Sequence, residues 1–310
     1  MKKRIVITGA TGAIGRALIK ICIEDGYEVL AVVHRGSPRA LELRAIDNCK
    51  VLQLDLNDYD QAMAEMEKQR IDSMGYELFF HLAWMASFGK NRDNLDLQLD
   101  NIRASLAAVR FAKTLGCTTF IGIGSQAEYG RVEGVLSPDT PTFPETGYGI
   151  TKLCAGQLTR LSCEQLGMRH IWCRVLSVYG PYDRDQTLIS YAVIQMMKNE
   201  ETEFSPCDQM WDYIYSDDAA RAILLAGQKG ESGKVYMIGS GEVHPLKEYV
   251  QKIAETTGFT KKIGFGKRAY NDKQVMYLQA DVSDIKKLGF GLEVTFEEGI
   301  QKIIDMSRKT

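Results

Sequence analysis

Residues 4–15 constrain this chain more than any other stretch: Arg-Ile-Val-Ile-Thr runs directly into Gly9-Ala-Thr-Gly12-Ala-Ile-Gly15. The first five residues are short, apolar and β-branched, the pattern of a buried strand. Apolar residues then recur at helical spacing through Ala17, Leu18, Ile21 and Cys22, and Gly26 stands where a helix C-cap belongs. Glu28 to Val33 is a second apolar run. Strand, glycine turn, helix and strand make a βαβ unit, whose two strands run parallel. Glycines in such a turn let backbone N–H groups approach a pyrophosphate at the positive end of the helix. Gly9, Thr11, Gly12, Ala13, Ile14 and Gly15 are therefore candidate dinucleotide contacts.

The alternation continues down the chain. Strands are predicted at Val51 to Leu54, Glu77 to Leu82, Thr118 to Ile123 and His170 to Leu176. Between them lie predicted helices at Tyr59 to Gln69, about Leu95 to Leu115, and Tyr148 to Leu166, with a proline-rich loop over 124–147. Strands separated by helices imply a parallel sheet covered on both faces, an α/β doubly wound fold. After Leu176 the rhythm changes. Val178-Tyr-Gly-Pro181 reads as a turn, Leu188 to Lys198 as a helix and 200–211 as irregular chain. A helix over Asp217 to Gln228 and a strand at Lys234 to Ile238 return to the main sheet. Residues 1–176 plus about 212–240 thus form the expected dinucleotide-binding domain. About 177–211 plus 241–310 form a smaller mixed α/β substrate lobe. Asp217-Asp218, just before an apolar helical period, reads as a helix cap.

Composition removes several classes. The 310 residues are 45% hydrophobic and 25% charged, ordinary for a globular protein. A net charge of −2 gives no case for nucleic acid or a membrane surface. Seven scattered cysteines without a Cys-x-x-Cys pair suit reduced thiols in the cytoplasm. The basic start leads into a first strand rather than a signal peptide, and no apolar run reaches membrane-spanning length. Four isolated histidines offer no metal-ligand spacing, so no metal site is expected.

Tyr148-Gly-Ile-Thr-Lys152 places a phenol and an ammonium one helical turn apart. A nearby ammonium favours the phenolate and lowers the tyrosine pKa toward neutrality. With 14 tyrosines in the chain, about one such spacing arises by chance, so the pair needs its surroundings.

Those surroundings resemble the extended short-chain dehydrogenase/reductases, a Rossmann-fold family of sugar-nucleotide epimerases, dehydratases and reductases. The Gly-x-x-Gly-x-x-Gly spacing is similar to theirs. Asp55-Leu56 matches the family's Asp-Leu at the adenine ring. Phe80-His81-Leu82-Ala83 matches a strand end beside the cofactor, with Trp84 replacing a small residue. Asn101 matches a structural asparagine. Ser125-Gln-Ala-Glu-Tyr-Gly130 matches the segment whose first hydroxyl contacts the reacting oxygen, and Tyr148 and Lys152 match the catalytic Tyr-x-x-x-Lys. Val178-Tyr-Gly-Pro181 and Trp211-Asp-Tyr-Ile-Tyr-Ser-Asp-Asp218 match two further signatures. The resemblance implies Ser125, Tyr148 and Lys152 as catalytic residues. It implies cofactor contacts at the glycine turn, His34, Arg35, Asp55, Leu56, Leu82 and Ala83, and by Tyr148 and Lys152. A homodimer is also implied, pairing the two long helices across a four-helix bundle.

Departures from the family narrow the expectation. Gln126 and Ala127 stand where 4,6-dehydratases carry an Asp-Glu pair, so dehydration is not expected. His34-Arg35-Gly-Ser37, with Arg39 close behind, stands where NAD-specific relatives carry an acid. Basic and hydroxyl groups there favour NADP(H) over NAD(H). On the substrate side the candidates are Ser125, Gln126, Ser177 (an asparagine in many relatives) and Arg268. Arg268 stands in for the arginine that Trp211 replaces. The expected activity is NADPH-dependent reduction of a 4-keto sugar nucleotide. A 4-epimerase using the same residues is the alternative, and a non-catalytic NADP-binding sensor or scaffold a second.

Overall fold

The structure, a computed structural model, describes residues 3–271 and 274–308. The first half runs β1 (Arg4–Thr8), α1 (Ala13–Glu24), β2 (Glu28–Val33), α2 (Ala40–Arg44), β3 (Cys49–Gln53), α3 (Ala62–Lys68), β4 (Tyr76–His81) and α4 (Leu95–Thr114). It continues through β5 (Thr119–Ser125), β6 (Val135–Leu136), α5 (Gly147–Gln165), β7 (Arg169–Val175) and β8 (Ser177–Tyr179). Then follow α6 (Leu188–Met197), β9 (Met210–Trp211), β10 (Tyr213–Tyr215), α7 (Ser216–Lys229) and β11 (Val235–Ile238). The chain closes with β12 (His244–Pro245), α8 (Leu246–Thr257), β13 (Tyr277–Ala280), α9 (Ser283–Lys287) and α10 (Phe296–Ser307).

Seven strands form one sheet in the order β11-β7-β5-β4-β1-β2-β3, every neighbouring pair parallel. Adjacent positions of β1 show why these runs are apolar throughout. Ile5 and Ile7 join a core with α1 and α7, while Val6 joins the opposite core with α4. A strand buried on both faces has no polar side to alternate with. The chain leaves the centre of the sheet in opposite directions after β1 and β4, and the crevice between their carboxyl ends is where such sheets bind ligands. A third apolar cluster gathers α6, α8 and α10 around Val193, Met196, Val250, Ile253 and Ile300.

Several expectations are corrected. The helix expected from Tyr59 begins as a 3-10 turn over Leu56–Gln61 and becomes α-helical at Ala62. The 124–147 loop contains β6, which pairs with β13 more than 140 residues away. Val178 and Tyr179 belong to β8, paired with β10, so the turn starts only at Gly180. The acids at 217 and 218 do not cap α7, whose N-cap is Tyr215. Asp217 instead accepts from Lys20 Nζ at 2.8 Å. Asp218, fully buried, accepts the N–H groups of Glu293 and Val294 and so ties the entry of α10 to the sheet. Asp212 works similarly, accepting from the Ser240 amide and hydroxyl and from the amides of Gly241 and Ala280. The Trp211–Asp218 signature is thus a set of internal struts.

Candidate active site

At the end of β1 the glycines divide their labour. Gly9 has φ +68°, and a Cβ there would lie 2.8 Å from the Ala83 nitrogen. A Cβ on Gly15 would lie 2.4 Å from the Gly9 carbonyl, so only glycine lets α1 start this close to the strand. Gly12, the N-cap of α1, is different: a Cβ there would approach only the Gly9 oxygen, at 3.8 Å. Its face is open, at the end of a helix whose first N–H groups point outward. The turn therefore fits a dinucleotide pyrophosphate, with Thr11, Ala13 and Ile14 around it. Thr8 fixes the neighbouring strand end, its hydroxyl accepting from the amides of Leu82 and Ala83 at 3.1 and 3.2 Å. His81 lies 3.0 Å from that hydroxyl, and burial lowers its pKa to about 3, so it is a neutral strut.

Beyond β2, Arg35 is engaged with carboxylates. Its N–H and guanidinium donate to Asp55, and the guanidinium also faces Asp58 and Glu65. Burial works to raise the Asp55 carboxyl, but the bonds from Arg35 outweigh it and hold the carboxyl below its usual range. His34 is exposed and bonded to the Arg35 carbonyl, and Leu56 opens the 3-10 turn below. Arg39 donates to the Thr11 carbonyl at 3.0 Å, so its guanidinium reaches the glycine turn.

Ser125 ends β5, and Tyr148 and Lys152 lie in the first two turns of α5. Thr146 caps that helix, and Gly149 lets it press against the Ser125 turn, since a Cβ there would lie 2.3 Å from the Ala127 carbonyl. The Ser125 side chain lies near enough to Tyr148 to draw the phenol's pKa down. The Lys152 ammonium is buried, donates to the Ile123 carbonyl at 2.7 Å, and sits 3.8 Å from the centre of the Trp84 ring. Burial lowers its pKa to about 7, against an upward pull from Glu128. The expected depression of Tyr148 by Lys152 is not found. Burial pushes the phenol above its ordinary value, and the groups opposing that are Ser125, Arg92 and Arg184. Lys152 is directed into the strand and the indole instead.

The two arginines are what sequence reasoning missed. Arg92 lies in the turn after β4 with its guanidinium 4.6 Å from the Tyr148 ring centre. Arg184 follows β8 and donates to Ser87 across the cleft at 3.0 Å. Neither falls in a spaced motif. Trp84 packs edge-on to Tyr148 and donates to the buried Gln98 at 3.0 Å. Asn101 braces the same loop through the Met85 amide and carbonyl. Ser177 and Trp211, the two departures on the substrate side, meet: the indole N–H donates to the serine hydroxyl at 2.8 Å. Gln126 is half-buried beside Ser125. Arg268 is not brought to this cluster. It stacks on Tyr191 and pairs with Glu203, with more than half its side chain exposed. Among the described residues no group of three or more His, Cys, Asp or Glu could hold a metal, and no helix is long and apolar enough to cross a membrane.

The chain is 26% identical to CDP-abequose synthase of Salmonella muenchen, over 99% of this chain and 98% of that one. It is 25% identical to dTDP-4-dehydro-6-deoxyglucose reductase of Escherichia coli, again over 99% and 98%. The structure resembles that of UDP-glucose 4-epimerase from Thermotoga maritima, solved with UDP-glucose, with a TM-score of 0.86, 25% identity and 99% of each chain covered. Residues 5–239 match the model of the NAD dependent epimerase/dehydratase family. With that match spanning most of its length, the chain belongs to the NAD-dependent epimerase/dehydratase family, the extended short-chain dehydrogenase/reductases.

Proposed function

We propose that this enzyme is an NADPH-dependent reductase of the 4-keto group of a nucleoside-diphosphate sugar. The observation that carries the reading is the likeness along 99% of the chain to a dTDP-4-dehydro-6-deoxyglucose reductase, with Ser125 closing β5 and Tyr148 opening α5 at one site. When bound, the reduced nicotinamide supplies hydride to the keto carbon. Tyr148 gives its proton to the oxygen that becomes negative, and Ser125 donates a hydrogen bond to the same atom. Arg92 and Arg184 stabilise the phenolate left behind, because both lower the Tyr148 pKa. Lys152 holds the nicotinamide ribose, and Ser177 and Gln126 face the sugar nucleotide. Loss of one positioned acid costs roughly 10²–10⁴ in rate. Tyr148→Phe should therefore lower kcat by about a thousandfold, as measured by NADPH oxidation.

NADP(H) is preferred because the loop after β2, His34-Arg35-Gly36-Ser37, brings no carboxylate of its own, and Arg39 reaches the glycine turn. The three carboxylates around Arg35 weigh against a 2′-phosphate at that residue, so Arg39 is assigned the larger share. The closeness in fold to a UDP-glucose 4-epimerase supports a second reading, a 4-epimerase that retains NAD. The nucleotide that copurifies separates them. Stoichiometric, non-exchangeable NAD sinks the reductase; NADPH binding well above NADH, with turnover of a 4-keto sugar nucleotide, supports it. The enzyme acts as a homodimer through α4 and α5, which leave Leu95, Leu99, Ile150, Leu158 and Leu161 exposed.

A further inference from the structure

Behind Ser125 lies a buried charge pair that the reaction as described does not use. Glu128 and Arg174 are almost wholly removed from solvent, and Arg174 Nε donates to Glu128 Oε2 at 2.7 Å. The other contacts of the carboxylate are also N–H donors. Trp172 Nε1 reaches both oxygens at 3.1 and 3.2 Å, and the Ser125 amide donates to Oε1 at 2.8 Å. Ser125 returns the contact within the same turn, its hydroxyl accepting from the Ala127 amide at 3.2 Å. That leaves the serine's own proton free to be aimed elsewhere. Arg174 is held in turn by the Tyr129 hydroxyl, which donates to the Ser137 carbonyl.

The chain makes room for this network. A Cβ on Gly124 would lie 2.3 Å from both the Glu128 carboxylate and the Trp172 nitrogen. Cβ atoms on Gly122 and Gly156 would strike the same indole at 2.3 and 2.8 Å. A buried ion pair is rarely worth its desolvation as a stabilising device. Three glycines cleared around one suggest a different use.

We propose that Glu128 is a positioning residue for the reaction: by gripping the Ser125 amide it fixes the serine hydroxyl against Tyr148 and the reacting oxygen. Arg174 and Trp172 hold the carboxylate in place for that purpose. This rests on the reading of Ser125 and Tyr148 given above.

The test is a double-mutant cycle on the full chain, with turnover followed as NADPH oxidation by a nucleoside-diphosphate 4-keto-6-deoxyhexose. Ser125→Ala should lower kcat by about a hundredfold, as for a lost oxyanion donor. Glu128→Gln should lower kcat by about tenfold or more with the KM for NADPH unchanged. In the Ser125→Ala background it should add no more than about a twofold loss, because its effect passes through the serine. Full additivity of the two losses, or wild-type turnover in Glu128→Gln, overturns the proposal while leaving the reaction intact. Wild-type turnover in Ser125→Ala, or no turnover by the wild-type chain, overturns the reading of the site and this inference with it. If Glu128→Gln fails to fold, the paired change Glu128→Met with Arg174→Met removes both charges at similar volume. Its cooperative unfolding with the same loss of turnover supports the proposal; wild-type turnover in that pair overturns it.

Discussion

Lys152 is held by one carbonyl and the face of an indole, and its folded-state pKa of about 7 has a consequence for stability. An unfolded lysine keeps its proton to about pH 10.4. Between those values the unfolded chain binds more protons than the folded one, so stability rises with pH over that window. Below pH 7 the full penalty of a buried ammonium is present. Lys152→Met should therefore stabilise the fold at pH 6 by roughly 4 kcal/mol, while thermal melts at pH 10 should bring variant and wild type close together. Equal melting temperatures at pH 6 would show that the lysine is solvated in the free protein. Ser125, Tyr148 and Lys152 were legible because their neighbours in sequence form ordered motifs. Arg92 and Arg184 were not, since each is a solitary arginine in a loop: the turn after β4 stacks Arg92 on Tyr148, and the turn after β8 sets Arg184 on Ser87 and Phe88. Glu128 was visible as a letter inside the Ser125 segment. Its burial depends on Trp172 and Arg174, which no local pattern connects to it.

The βαβ unit and its successors were legible as elements because strands buried on both faces read as apolar runs that few other structures share. The short strands escaped: β6 and β9 have two residues each and exist only through partners far along the chain. Asp218 was misread for a related reason. An acid before a helical period looks like a cap, and only the folded chain shows that its oxygens face the segment before α10. Asp218→Ala would leave two amides without their acceptor and Arg221 with only its pairing to Glu293. A loss of roughly 3 kcal/mol is expected, with hydrogen exchange accelerated over 293–307; unchanged exchange there would refute the strut. The glycine turn allows a sharper contrast. Gly15→Ala meets backbone at 2.4 Å and should cost several kcal/mol, roughly the upper range for overpacking. Gly12→Ala meets almost nothing in the protein and should leave the melting temperature within a few degrees. It should nonetheless weaken dinucleotide binding by about tenfold or more, because its methyl stands where the phosphates approach. Calorimetry of both variants with and without NADPH separates the two roles.

At the scale of the molecule, α4 and α5 lie side by side with their outward leucines and isoleucine uncovered. A stripe of this kind on a net −2 protein is expected to meet a copy of itself. Leu158→Asp together with Leu161→Asp should yield a folded monomer by sedimentation, and the wild type a dimer; a monomeric wild type at micromolar concentration would dismiss the interface. The chain also crosses repeatedly between the sheet and the α6–α8–α10 cluster, since β11 joins the sheet only after 177–211 have been placed elsewhere. Residues from both regions therefore meet at one cleft, and three of them share a property. The chain has three tryptophans: Trp84 lies against the Lys152 ammonium, Trp172 against the Glu128 carboxylate, and Trp211 against Ser177. Each indole sits against a different one of these groups, so the protein contains its own set of optical reporters. Single-tryptophan versions would let emission spectra follow the surroundings of Lys152, Glu128 and Ser177 separately, without a label.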